Sequence, residues 1–329
     1  MEVPVKFKNK DGLTLYGILH KPERPRSPKT GLIFIFSGVR GRVGTSRQYV
    51  EYARRLCDRE GYYVLRYDVY GMGDSEGDVP PCPARYYYGT IQTGRYVDDA
   101  VSGVQFFLNE VEVEKKYLFG LCGGAITALL AGKVLKVIDG YILLSIPTFI
   151  DDPDVDYYRR YGWSYYWLHL LPYIYKLKSP KAWYRLLTGK TNIPELLDVL
   201  KGSFIGGIEA IKRKIYEKIG VELSPPKDTS IEHSEETKGI AHMNKLFLDA
   251  YSMIMTRGKP ILFIFGDHDI FYEEFVREFQ SKYMDRDPRA KDLCEVYVIS
   301  KANHMFTLGE WKKKVIEKTV EWLDRQTKV

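Results

Sequence analysis

The hydrophobic positions along the chain alternate between short continuous apolar runs and longer stretches with helical spacing. Apolar runs without alternation are typical of strands covered on both faces. They lie at Leu32–Phe36, Tyr62–Tyr67, Lys116–Leu121, Ile138–Ile146, Pro260–Phe265 and Cys294–Ile299. Helices are predicted at Gln48–Arg59, Tyr96–Leu108, Ala125–Leu135 and Tyr272–Tyr283, and from Trp311 to the C-terminus. Strands that alternate with helices predict a mostly parallel sheet with right-handed crossovers and helices on both faces.

The N-terminal segment has a different pattern. Residues 3–7 alternate between apolar and polar side chains, and Asp11-Gly12 is a common hairpin turn. Leu13–Leu19 then resumes the strand pattern. The sequence therefore predicts an antiparallel hairpin ahead of the parallel strands.

The stretch over residues 148–257 interrupts the alternation of strands and helices. It contains no apolar run bounded by turns, and its apolar residues recur at helical spacing. We predict a helical cap inserted at 148–257 between two parts of one core, 1–147 and 258–329.

Aromatic residues are concentrated in the predicted cap. Eleven of them lie between Tyr157 and Tyr184, including three of the five tryptophans. Such a cluster packs helices together or forms the wall of a ligand pocket. Trp163 and Trp167 are therefore candidate substrate-binding residues.

Composition and charge narrow the class of protein. Charged residues make up 28% of the 329, the net charge is +6, and both signs are interleaved without a basic arm, so no nucleic-acid partner is expected. No apolar run is long enough to predict a membrane-spanning helix. The first residues lack a secretory signal pattern, and the four cysteines form no CxxC pair. We expect a cytoplasmic protein without disulfides or a zinc site.

The clearest chemical motif follows the predicted strand Lys116–Leu121. The sequence Gly120-Leu121-Cys122-Gly123-Gly124 leads directly into a helix. Small residues two before and two after the cysteine permit a tight strand-to-helix turn that presents its side chain to substrate. Cys122 is thus the candidate nucleophile, and the helix N-terminus favours its thiolate form. The alternative is that Cys122 is a small buried apolar residue.

Two later strands end in candidate acid and base residues. Pro260–Phe265 is followed by Asp267-His268-Asp269, and the last predicted strand is followed by His304. The chain order nucleophile, acid, histidine is typical of a catalytic triad on such a sheet. His304 is the predicted base, the alternative being an ordinary loop histidine. Asp269 and Asp267 compete for the acid; Asp269 is favoured because the residue further from the strand can turn back towards the histidine.

Other groups near these residues suggest further roles. The side chains of Asp267-His268-Asp269 are of types that bind metals. With only these three adjacent groups, a metal site is not favoured. An oxyanion needs two donors, for which we predict the N–H groups of Gly123 and Val39, unless the loop that carries Val39 is an ordinary turn. Arg40, in the same loop, is a candidate to bind an anionic part of the substrate, and a solvated surface position is its alternative.

These motifs resemble those of the α/β-hydrolase superfamily, in particular its serine aminopeptidase-like branch and the exosortase-associated hydrolases. The resemblance covers nearly the whole chain through GRVGTSRQYVEYARRLCDREGYYVLRYDVYGMGDSEGD, GLCGGA and ANHMFTLGEW. It implies an α/β-hydrolase fold with an eight-stranded sheet, a helical cap after the sixth strand, and acyl transfer to a nucleophile. In this superfamily the D-x-x-G-x-G-x-S element, here Asp68–Ser75, mainly shapes a loop near the site.

The chain departs from the family pattern at two places. Cys122 stands where most relatives carry serine, which is similar to the dienelactone hydrolases and the polyhydroxyalkanoate synthases. Ser37-Gly38 stands where many relatives have His-Gly. The first departure bears on substrate and reaction class, and the second bears on the oxyanion donor.

The combined prediction is a cofactor-free hydrolase that cleaves an ester, thioester or lactone through a thioacyl intermediate on Cys122. The substrate is expected to be a small acyl compound, free or attached to a carrier or coenzyme. An acyltransferase or cyclising enzyme is the first alternative, since excluding water lets another nucleophile take the acyl group. A non-catalytic binding protein is the second, because fold alone does not fix function.

Overall fold

A sheet of eight strands forms the centre of the described structure. The strands are β1 (Glu2–Lys8), β2 (Thr14–His20), β3 (Thr30–Ile35), β4 (Tyr63–Tyr67), β5 (Lys115–Leu121), β6 (Gly140–Leu144), β7 (Ile261–His268) and β8 (Cys294–Asn303). Their order across the sheet is β1-β2-β4-β3-β5-β6-β7-β8. The pairs β1–β2 and β2–β4 are antiparallel, and the other five pairs are parallel. The predicted N-terminal hairpin and the predicted parallel core are both confirmed.

The computed structural model describes residues 1–36, 41–79, 82, 84–150 and 243–327. The predictions for Val39, Arg40, Trp163 and Trp167 fall outside these residues, as does most of the predicted cap. They therefore stay predictions.

Helices cover both faces of the sheet, as predicted. They are α1 (Gln48–Asp58), α2 (Ala84–Gln92), α3 (Val97–Glu110), α4 (Gly123–Ala131), α5 (Lys245–Thr256), α6 (Ile270–Glu274), α7 (Ala290–Leu293) and α8 (Gly309–Thr327). Successive strand side chains point to opposite faces, so each buried strand contributes to two hydrophobic clusters. Leu32 and Phe34 join the cluster with α1 and α8, whereas Ile33 and Ile35 join the cluster with α3, α4 and α5.

Two helices differ from the sequence-based expectation. Helix α2 was not predicted, because three prolines precede it and its consecutive tyrosines and Gly89 conceal the apolar spacing. Helix α6 continues as a π-helical turn over Phe275–Gln280, which no apolar pattern distinguishes from an α-helix. Both differences leave the topology of the sheet unchanged.

Helix α5 falls within the stretch predicted as a cap but belongs to the same unit as the sheet, which spans 1–153 and 242–329. Its buried face includes Phe247 and Ile254, which join the hydrophobic cluster on the α4 side. Asn244 caps its first turn by accepting from the N–H of Leu246 at 3.0 Å. The Asn244 amide also donates to the carbonyl of Gln92 at 2.8 Å, which joins α5 to the end of α2.

Two properties of the described residues bear on membranes and metals. None of their helices is both long and apolar enough to cross a bilayer. Nor do three or more of their His, Cys, Asp or Glu side chains group in a way that could hold a metal ion, and this includes Asp267-His268-Asp269.

Candidate active site

The turn between β5 and α4 holds Cys122 in a strained backbone conformation. Its φ of 53° and ψ of −117° are rarely adopted by any residue other than glycine. The turn is also very tight: a Cβ on Gly124 would lie 2.2 Å from the Ile35 carbonyl oxygen, and one on Gly120 would lie 2.4 Å from the Gly124 carbonyl carbon. Glycine is therefore required on both sides of Cys122, and the half-buried thiol sits at the carboxyl end of the sheet.

Asp269 and His304 meet at the same end of the sheet. Asp269 directly follows β7 and His304 directly follows β8, which is paired with β7. The Nδ1 atom of His304 lies 3.1 Å from each carboxylate oxygen of Asp269. Asp267, the competing acid, is the penultimate residue of β7, and its side chain is exposed. Of the two aspartates, Asp269 is the one that contacts the histidine.

The protonation of His304 depends on groups on both sides of its ring. Burial opposes a charge on the ring, but the Asp269 carboxylate and the Cys122 sulfur outweigh it and raise the pKa of His304 well above its usual range. Asp269 is hydrogen-bonded to the imidazole at Nδ1, and Cys122 lies close enough to the ring to raise its pKa. Because Nδ1 faces Asp269, the nitrogen that serves Cys122 is Nε2. The three side chains thus lie together, with Asp269 and Cys122 both acting on the imidazole.

The environment of Asp269 keeps its carboxyl group ionised. Burial raises the pKa of Asp269, but His304, the Ser145 hydroxyl and the Phe271 N–H together lower it below its usual value. The Phe271 N–H donates to a carboxylate oxygen at 3.0 Å, so Asp269 also caps helix α6. A buried, ionised carboxylate fixes the orientation of the imidazole.

Only part of the predicted oxyanion site falls within the described residues. Gly123 is the first residue of α4, so its N–H is one of the first-turn donors that have no acceptor within the helix. The position that we predict for the second donor, Val39, falls in the undescribed segment between Phe36 and Gly41.

Asp68 organises the loops that flank that segment. Its buried carboxylate accepts from the Arg42 backbone N–H and guanidinium and from the Asp74 N–H, the last at 3.3 Å. A Cβ on Gly73, where φ is 57°, would lie 2.2 Å from an Asp68 oxygen, so glycine is required there. Arg42 also pairs with the Asp74 side chain at 2.5 Å. The element Asp68–Ser75 thus has a loop-shaping role, and Arg42 is held by two carboxylates.

Two residues beside the triad candidates were not identified from the sequence. The ring of Phe271 packs edge-on against the imidazole of His304, with centroids 4.9 Å apart. Ser145, directly after β6, places its hydroxyl beside both His304 and Asp269. No motif signals either residue, since an aromatic at a helix start and a serine after a strand are common.

Phe271 supplies a test of how firmly the imidazole must be held. Phe271→Ala removes an edge-to-face contact of about 0.5–1.5 kcal/mol, so we expect turnover to fall about 3- to 10-fold. The Phe271 backbone N–H and its bond to Asp269 remain. Steady-state kinetics measure the effect, with the neighbouring Tyr272→Phe as a control that leaves the ring contact intact. Turnover equal to the unaltered protein would show that the contact does not orient His304.

Comparisons with known proteins agree with the fold. The family described as serine aminopeptidase, S33, matches residues 27–180. No curated protein matches the chain significantly. The chain is similar in structure to the α/β hydrolase GrgF from Penicillium sp. sh18, with 16% identity, a TM-score of 0.55 and 100% of each chain covered.

Two further structures are also similar. The Pyrococcus furiosus esterase PF2001 shares 19% identity at a TM-score of 0.56, over 99% of this chain and 91% of that one. Est1E from Butyrivibrio proteoclasticus, with ferulic acid bound, shares 17% identity at a TM-score of 0.52, over 99% and 100%. The strand order, the parallel pairing and these similarities together establish the α/β-hydrolase fold.

Proposed function

We propose that the chain is a hydrolase that cleaves a carboxylic ester, thioester or lactone through a thioacyl intermediate on Cys122. The observation that carries the proposal is the meeting of Asp269, His304 and Cys122 at the carboxyl ends of β7, β8 and β5, where Asp269 contacts His304 and Cys122 raises the pKa of His304. A strained nucleophile turn adds to it, because such strain persists where the structure uses it to present a side chain. The serine aminopeptidase match over residues 27–180 supports the same reaction class.

In the first half-reaction, the Cys122 sulfur attacks the substrate carbonyl carbon. His304 takes the thiol proton on Nε2 and stays beside the sulfur as an imidazolium, and Asp269 holds its Nδ1–H. Two backbone N–H groups, from Gly123 and Val39, stabilise the oxyanion of the tetrahedral intermediate. The intermediate collapses to a thioester as His304 protonates the leaving alcohol or thiol.

In the second half-reaction, water replaces the acyl group on Cys122. His304, now neutral, accepts a proton from water as the water oxygen attacks the thioester carbonyl. Collapse of this second intermediate releases the carboxylic acid and returns the proton to the Cys122–His304 pair. No cofactor takes part in this sequence.

An oxygen ester is the first substrate class to test. The similar structures include the esterase PF2001 and Est1E, the latter with ferulic acid bound. We extend this substrate class to the present chain as part of the proposal. Thioesters and lactones follow, since the same attack on a carbonyl carbon opens all three.

The test is intact-mass spectrometry after brief mixing with 4-nitrophenyl acetate, 4-nitrophenyl butyrate and a short acyl thioester. We expect one acyl adduct on the unaltered protein and none on Cys122→Ala, because only Cys122 lies beside a general base. Cys82→Ala is the matched control: Cys82 is also half-buried, and its removal is expected to leave the adduct intact. Product release by Cys122→Ala at the original rate would refute the proposed nucleophile.

The fate of the adduct separates hydrolysis from acyl transfer. We expect the thioester to decay with release of the carboxylic acid, at a rate that an added alcohol or amine does not change. Faster decay with formation of a new ester or amide would instead assign the chain to acyl transfer. The same Cys122 intermediate precedes both outcomes.

A further inference from the structure

Ser145 lies where the strands of the candidate triad meet. It directly follows β6, which lies between β5 and β7 in the sheet. On one side the carbonyl oxygen of Leu144 accepts the Cys122 N–H at 2.9 Å. On the other side the Ser145 N–H donates to the carbonyl oxygen of Ile264 at 2.8 Å. The end of β6 therefore joins the strand that carries the nucleophile to the strand that carries the acid.

The Ser145 hydroxyl contacts the other two members of the triad. It is fully buried and donates to the carbonyl oxygen of His304 at 3.3 Å. It also acts on Asp269: burial raises the pKa of that carboxyl, and the Ser145 hydroxyl is one of the groups that lower it again. A hydroxyl buried away from water is costly unless it is hydrogen-bonded. Its single O–H can serve either the His304 carbonyl or the Asp269 carboxylate at one time, so both acceptors bear on where it lies.

The backbone of Ser145 is strained as well. Its φ is 46°, in the left-handed region that non-glycine residues rarely adopt. Glycine would adopt this conformation at lower cost and would still provide the N–H that bonds to Ile264. The serine side chain is thus kept at a position where the backbone alone favours glycine. Strain of this kind is found where a side chain is needed for function.

We propose that Ser145 is a positioning residue whose hydroxyl holds the Asp269 carboxylate and the His304 segment in register with Cys122. It does not touch the substrate but acts through the acid and the base. The proposal rests on the proposed function for its effect on rate, whereas its effect on Asp269 can be measured without substrate. Among the described residues Asp269 has one ion-pair partner, His304, so few other charges affect the measurement.

Two substitutions separate the hydroxyl from the backbone. Ser145→Ala removes the hydroxyl and keeps the strain, and Ser145→Gly removes both. Thr319→Val is the matched control: the Thr319 hydroxyl is also fully buried, but it lies in α8 and has no hydrogen-bond partner among the described residues. Thermal unfolding of all three variants checks that each is folded.

We expect both Ser145 variants to form the thioacyl adduct about 10-fold more slowly, with KM changed less than about 2-fold. The acid side of the acylation pH profile should move to higher pH. Without the hydroxyl the Asp269 carboxylate is less stabilised, so its pKa rises and it is protonated earlier as the pH falls. Thr319→Val should change neither the rate nor the profile. A structural role alone would lower stability without moving the profile.

The substrate-free readout is the titration of the Asp269 carboxyl by carbon-13 NMR, assigned with Asp269→Asn. An upward shift of the Asp269 pKa in both Ser145 variants supports the inference even if no substrate forms an adduct. The lack of any adduct would contradict only the proposed function. An unchanged Asp269 titration would overturn the inference. Full acylation activity in Ser145→Gly would also overturn it, because the backbone alone would then hold Asp269 and His304 in place without the hydroxyl.

Discussion

Asp269→Asn is expected to lower the rate of acylation by about 10³- to 10⁴-fold, the loss typical when the acid of a Ser-His-Asp triad becomes an amide. The carboxylate accepts from His304 Nδ1, at 3.1 Å for each oxygen. An asparagine NH₂ group at this place would donate to Nδ1 and so favour the His304 tautomer that is protonated on Nε2. That nitrogen could then no longer accept the thiol proton. The substitution also removes the negative charge that stabilises the imidazolium. Single-turnover mixing with a 4-nitrophenyl ester measures the loss.

Asp267→Asn is the matched control for this substitution. Asp267 lies two residues earlier on the same strand, and its side chain is exposed. We expect its rate to stay within about 3-fold of the original, because an exposed group contributes little to the field at His304. Asparagine is also a good N-cap, so Asp269→Asn should still begin α6. Similar losses for the two variants would contradict the assignment of Asp269 as the acid.

The topology could be predicted because the driving force for each strand is local. Each core strand is a continuous apolar run that must be covered on both faces, and each crossover contains one stretch with helical spacing. The turn around Cys122 could also be predicted, because the close approach of Gly124 to Ile35 requires glycine, and the required glycines form a recognisable motif. Features with a steric requirement of this kind can be recognised without a structure.

The contacts between distant segments could not be predicted in the same way. The sequence favoured Asp269 but left Asp267 as an alternative, because the choice depends on where β7 ends, and the strand continues to His268, beyond its apolar run. The position of the Ser145 hydroxyl depends on the pairing of β6 with β7 and on the positive φ of Ser145. No neighbouring residue in the sequence indicates that φ. Both are consequences of strand register, which is set by the assembled sheet.

The hairpin at the edge of the sheet contains a histidine that should control acid stability. His20, at the end of β2, is buried, and its Nε2 accepts from the Nε of Arg66 at 2.9 Å. A proton on Nε2 would break this bond and place two positive charges together. Burial, followed by Arg66, lowers the pKa of His20 from 6.5 to about 4, although Glu2 and Asp58 raise it and Arg54 lowers it further.

The direction of the pH effect follows from this lowered pKa. Between pH 6.5 and about 4 the unfolded chain binds a proton at His20 and the folded chain does not, so stability falls as the pH falls. From pH 7.5 to pH 5 the loss from this residue is about 2 kcal/mol. His304, whose pKa is raised, contributes with the opposite sign, because its protonation favours the folded state. The two contributions must therefore be separated by mutation.

His20→Gln separates them, since glutamine can accept from Arg66 but does not titrate. We expect urea unfolding to show that the unaltered protein loses about 2 kcal/mol more than His20→Gln between pH 7.5 and pH 5. His304 titrates in both proteins, so its contribution cancels in the difference. His268→Gln, at an exposed histidine, should behave like the unaltered protein. Equal losses in His20→Gln and the unaltered protein would mean that His20 accepts its proton within the folded hairpin, and that the bond from Arg66 does not hold it neutral.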